Sequence, residues 1–214
     1  MFFLMIVGII YVEQGQRRIP IQFAKRVRGR KVMGGQSTYI PLKVNSAGVI
    51  PVIFATSILF FPALVATSLP QDNSVTAAIR NWIDVNLANS QGTTWFYIFF
   101  LGILIIFFTY FYTTIQFDPV RQSDMIRRQG GFVPGVRPGI STTNYLSHII
   151  NRITLPGSIF LASVAVLPSI ASAIWDIPLG FSGISILITV GVALETMKQI
   201  ESQLSMRNYE GFID

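Results

Sequence analysis

The residues best equipped for chemistry form a block of charge. From Arg17 to Gln36 the chain reads RRIPIQFAKRVRGRKVMGGQ, with seven lysines and arginines and no acid. A second basic region contains GGFVPGVRPG, where Arg137 stands between two Pro-Gly pairs. Neither region carries catalytic machinery. GGFVPGVRPG is glycine-rich but lacks the strand-then-helix setting of a phosphate loop, and the chain has no GK[ST], no HExxH and no Gly-x-Ser-x-Gly. The absence of cysteine excludes a disulfide framework, a thiolate metal site and a cysteine nucleophile. The one histidine, His148, lies in YLSHIINRI, whose spacing suits an amphipathic helix and a structural or solvated role. No enzyme, metal or cofactor is expected.

The elements that must position this charge are membrane helices. Hydrophobic residues make up 51% of the 214 and charged ones only 12%, about half the charged share of a soluble domain, so the chain reads as a membrane protein. A crossing helix needs roughly 20 apolar residues. Four uncharged windows are long enough, and they place spans at 44–69, 95–115, 153–175 and 177–197. The opening run FFLMIVGIIYV, within 1–12, has no basic n-region or cleavage site and does not read as a signal peptide; too short to cross alone, it is either the tail of a helix or an interfacial anchor, and the first is favoured because nothing in it is amphipathic. The expected class is an all-α polytopic bundle, with part of one transmembrane helix and four full spans.

The loops set its orientation. The segment 13–43 carries eight Lys/Arg and 116–152 carries five arginines, whereas the 70–94 loop has Arg80 alone, beside Asp72 and Asp84. The tight WDIPLG connection has no base, and the 198–214 tail has Lys198 and Arg207. The positive-inside rule then puts 13–43, 116–152 and the tail in the cytoplasm, with 70–94 outside. Taken by itself, the first basic block could be a topology signal and nothing more.

Inside the membrane there is almost no charge, and Glu195 falls at the cytoplasmic end of the last span. A secondary transporter would use broken helices with a polar coupling site, and no such site is visible. The span beginning NSAGVIPVIFATSILFFPA has Asn45 at its entrance, placed to cap the helix, and Pro51, placed to bend it. Such a start suits a helix that faces protein or an aqueous cavity, although plain packing would also satisfy it.

VEQGQRRIPIQFAKR, GGQSTYIPLKVNSAGVIPVIFA and FVPGVRPG together resemble the SecY family, the central subunits of the bacterial protein-conducting channel. The likeness continues through RITLPGSIFLASVAVLP and ETMKQIESQLSMRNYEGFI, in order and over nearly the whole chain. The resemblance implies the C-terminal half of such a subunit: the end of its sixth helix, then the seventh to tenth. The N-terminal half would supply the rest of an hourglass pore.

The same resemblance implies roles. The channel would move unfolded preproteins across the bacterial cytoplasmic membrane and release membrane proteins sideways into its lipid. Its basic cytoplasmic loops would dock the ribosome and the motor SecA, with SecE and SecG as further partners. Arg30 and Lys31 correspond to the ribosome-contact pair, with Arg26 and Arg28 as helpers, and Arg137 to the key arginine of the second loop, its turn set by Pro138 and Gly139. Docking on rRNA is phosphate chemistry, driven by counterion release. Ile53 and Ile188 correspond to a ring of aliphatic side chains that narrows the pore, and Asn45 to a polar member of the lateral gate. Half of a transporter and a scaffold that merely anchors ribosomes are the alternatives.

Overall fold

The structure of the protein is a computed structural model that describes residues 2–23, 26–28, 31–33, 37–68, 74–87, 94–175 and 183–210. In chain order the elements are α1 (Phe2–Gln14), β1 (Gln16–Phe23), β2 (Arg26–Arg28), β3 (Lys31–Met33), β4 (Ser37–Lys43), α2 (Ile50–Ser68), α3 (Ser74–Asn86), α4 (Trp95–Gln116), α5 (Pro119–Arg128), β5 (Gly131–Phe132), α6 (Ile140–Trp175) and α7 (Gly183–Glu210). Among the described residues, α2, α4, α6 and α7 are long and apolar enough to cross a membrane. The chain is a multi-pass helical membrane protein.

Two cores divide the molecule. In the larger, α4 packs between α2 and α6, and α7 lies against α1 and α6. Val52, Leu101, Ile105 and Leu161 are fully enclosed there. The outward face of α4 shows Phe99, Phe107 and Phe111, more than half exposed, as suits a surface solvated by lipid. The smaller core lies at one end, where Ile19, Ile21, Leu42, Ile126, Val133, Leu146 and Ile149 converge from β1, β4, α5, the segment after β5 and the start of α6. This is an extramembrane cap: Ile19 and Ile21 face in, while Arg18, Pro20 and Gln22 between and beside them face out.

The cap is where the structure adds most to the expected all-helical plan. The 13–43 segment, read as a loop, folds into strands. β1 pairs antiparallel with β4 from Gln16 opposite Lys43 to Gln22 opposite Ser37, and β5 joins the far end of β1 at Gln22 and Phe23. Gly131 permits that closeness, since a β-carbon there would stand 3.0 Å from Ile21 Cγ2 and 3.1 Å from Phe23 Cε1. Pro20 and Pro41 weaken a strand reading, but only β5 flanks β1 on its far side, and β4 ends the three-strand order β4-β1-β5. Both prolines lie in β1–β4 stretches that have a neighbour on one side only.

Three further features bear on the spans. Pro51 does not bend α2: the helix starts at Ile50, so Pro51 occupies its first turn, where the missing N–H has no intrahelical partner to lose. The proline inside α2 is Pro62. α6 starts at Ile140, ahead of the span expected at 153–175, and its 36 residues make a rod about 54 Å long, well beyond the ~30 Å hydrocarbon layer. Its first third therefore serves the cap and the rest serves the bundle, with exposed His148 on the cap portion. Between α2 and α4, the outer loop contains α3, whose Trp82 ring meets Phe96 edge-on at 5.6 Å.

Candidate functional site

The polar features gather at the cap end. After β5, the Val136 amide donates to the Val133 carbonyl at 3.1 Å, closing a turn with Pro134 and Gly135 at its centre and Gly135 at φ 81°. Pro at the second and a positive-φ glycine at the third position is the type II pattern. Gly139 then takes φ 112° and its carbonyl accepts from the Thr142 and Thr143 amides at the start of α6. Arg137 lies between these two fixed points. Its carbonyl accepts from Thr142 Oγ1 at 2.9 Å, the Gly139 carbonyl accepts from Ser123 Oγ at 3.2 Å, and its side chain is exposed. α5 is set in turn by Asp118, whose Oδ1 accepts from the Val120 amide at 2.9 Å, with Pro119 opening the helix. The arginine is thus held by its backbone while its side chain is exposed.

In the first basic block, β2 and β3 pair with Arg28 opposite Lys31 and Arg26 opposite Met33. The antiparallel register keeps Arg26, Arg28 and Lys31 within one small ribbon. Arg30 lies outside the described residues.

Between cap and bundle sits the entrance to α2. Asn45 does not cap that helix, which starts five positions later. Its Nδ2 donates to Glu13 Oε2 at 2.9 Å, while its Oδ1 is buried and takes no hydrogen bond among the described residues. The Val44 amide donates to the Gly15 carbonyl at 2.9 Å. α6 presses on the same point through Gly157, where a β-carbon would stand 2.7 Å from the Val44 carbonyl oxygen. Lys43 Nζ lies 3.5 Å from Glu195 Oε2 on α7. Glu13 and Lys43 were not singled out in the sequence; the signal available was an acid in the last turn of α1, where the helix dipole disfavours it.

Ile53 and Ile188 belong to α2 and α7, which run in opposite directions through the membrane. α7 comes near the residue just before α2, where a β-carbon on Gly191 would stand 3.6 Å from Val49 Cγ1. From that contact, four residues into α2 reach Ile53 and three back along α7 reach Ile188, or roughly 6 Å and 4.5 Å of rise. Both isoleucines thus lie about one turn along their helices from that point. Ile53 is 44% exposed and Ile188 half-buried, so neither belongs to the enclosed core.

A bundle of apolar spans with a strand-built basic cap at one end defines a polytopic membrane protein. The chain belongs to the SecY family, whose sequence profile matches residues 1–197. It is 52% identical to the protein translocase subunit SecY of Streptomyces scabiei over 215 residues, covering 98% of this chain and 47% of that protein. With the SecY of Mycobacterium bovis it shares 49% over 218 residues, covering 98% of this chain and 48% of the relative. The chain thus spans about half the length of these relatives. Two solved structures share its fold. One is of a SecY protein, in work on how the plug domain stabilises the closed channel (TM-score 0.56, 15% identity, 94% of this chain and 48% of that one). The other is the structure of a protein-conducting channel (TM-score 0.57, 17% identity, 94% and 47%).

Proposed function

We propose that this chain forms one half of a protein-conducting channel that passes unfolded preproteins across the bacterial cytoplasmic membrane and lets membrane proteins leave sideways into lipid. What supports this is that the chain's relatives are translocase subunits and that Ile53 and Ile188 lie outside the enclosed core on two spans of opposite direction. A ring of branched aliphatic side chains grips a passing chain without hydrogen bonds and so tolerates any sequence, and a narrow apolar neck resists water and ions. The other half of the pore, SecE and SecG complete the assembly in this reading, and the energy comes from SecA or the ribosome.

The basic cap faces the cytoplasm on the positive-inside rule. Arg26, Arg28, Arg30 and Lys31 offer charge to rRNA phosphates or to SecA, and Arg137 offers a single guanidinium on a fixed turn. Asn45 stands at the mouth of α2 as part of the lateral gate. The test is photocrosslinking in the completed channel with a preprotein arrested in transit. Probes at positions 53 and 188 are expected to label the arrested chain, and a probe at Phe107 on the lipid face to label lipid. Lipid labelling alone from 53 and 188 overturns the assignment.

A further inference from the structure

We propose that a two-point latch at the α2 entrance holds the neck shut: Asn45 bound by Glu13, and Lys43 bound by Glu195. This deepens the reading of Ile53 and Ile188 as neck residues and rests on it. The placement of the four groups carries the idea. Lys43 ends β4, the strand that follows the β2–β3 ribbon in the chain, and Asn45 lies two residues on, just before α2. One tie runs from this short linker to α1 and the other to α7. Glu195, Gly191 and Ile188 follow one another along two turns of α7, so the ion pair, the contact with Val49 and the neck residue form one column. A load on β4 thus reaches both neck-bearing helices through Lys43 and Asn45.

The latch is built to release. Asn45 is 5% exposed, and its Oδ1 is unsatisfied among the described residues while its Nδ2 is engaged. The amide cannot turn over to relieve this, because its oxygen would then face the Glu13 carboxylate. Glu13 itself sits at the negative end of the α1 dipole, where its charge is disfavoured. A buried acceptor without a partner costs free energy in the held state that water or another donor removes in the released one. The second tie is weaker by nature, since both its side chains are about half exposed (46% and 57%).

The experiment uses the completed channel in proteoliposomes and reads resting ion leak, with export of a reporter carrying a defective signal sequence and steady-state protein level measured beside it. Glu13→Ala is expected to raise the leak about tenfold, the change in an equilibrium on losing one charge-assisted hydrogen bond. Glu13→Gln, which keeps an acceptor for Nδ2, stays near the starting value. Lys43→Glu raises the leak roughly threefold, as fits an exposed pair, and the swap Lys43→Glu with Glu195→Lys restores it. Because that pair is exposed, the swap keeps the test open even where Glu13→Ala lowers protein level. Ile53→Asn is the control. If it leaks while Lys43→Glu and Glu13→Ala do not, or if the swap fails to restore, the latch is wrong and the neck reading stands. If Ile53→Asn and Ile188→Asn assemble without leaking, the neck reading falls and the latch falls with it.

Discussion

At the scale of single residues, Arg137 is anchored without being buried. The turns on either side fix its backbone, and Ser123 and Thr142 hold their carbonyls. Arg137→Glu is therefore expected to leave insertion and protein level unchanged while sharply reducing SecA- or ribosome-driven transport in the completed channel. Transport at the normal rate would remove the residue from the docking surface. Gly157 is the reverse case, fully enclosed and without chemistry. A side chain there meets the Val44 carbonyl at a distance real β-carbons do not tolerate, so either the α2 entrance or α6 must move. Gly157→Val is expected to cost about 1–3 kcal/mol, read as a lower melting temperature in detergent and reduced accumulation.

At the scale of elements, the spans were legible because apolar length alone decides them, and the basic blocks because charge is local in sequence. The cap was not. Its strands read as a loop because Pro20 and Pro41 interrupt them and because their inward residues, Ile19, Ile21, Ile40 and Leu42, are few. The alternation in RRIPIQF and YIPL was the available signal, and its meaning depends on Leu146 and Ile149 more than a hundred residues later. The tie between Asn45 and Glu13 was invisible for the same reason: each residue has a local reading, as cap or as loop acid, and only the fold brings them together. Because Leu146, on α6, is fully buried in the cap core, Leu146→Ala is expected to cost about 2–5 kcal/mol of cap stability. Limited proteolysis should then cut within 13–43 while the spans stay intact; an unchanged digestion pattern would contradict the cap core. Reversing Arg30 and Lys31 together is expected to weaken ribosome binding and flatten its salt dependence, which for duplex DNA has a log–log slope of about −0.9 per neutralised phosphate. Cosedimentation across a salt series measures both, and an unchanged affinity would leave the block as a topology signal.

At the scale of the whole molecule, what surrounds Ile53 and Ile188 decides how a polar substitution there behaves. An amide forced into hydrocarbon is costly, but one lining an aqueous neck meets water. Ile53→Asn and Ile188→Asn are thus expected to assemble at normal levels in the completed channel and to export a signal-defective reporter. Degraded protein without that gain would place both residues in lipid or in a packed interface. The cap has a consequence of its own for how the chain is made. Ile19 and Leu42 enter it before the chain leaves for α2, while Ile126, Val133 and Leu146 enter after it returns through α4. The two sets can meet only when the number of crossings between them is even. A failed insertion of α2 or of α4 strands half of these side chains on the opposite face of the bilayer, leaving a ribbon of isoleucines without cover. The small core thus works as a parity check on membrane insertion: it closes over a correctly threaded chain and leaves a misthreaded one exposed to proteolysis.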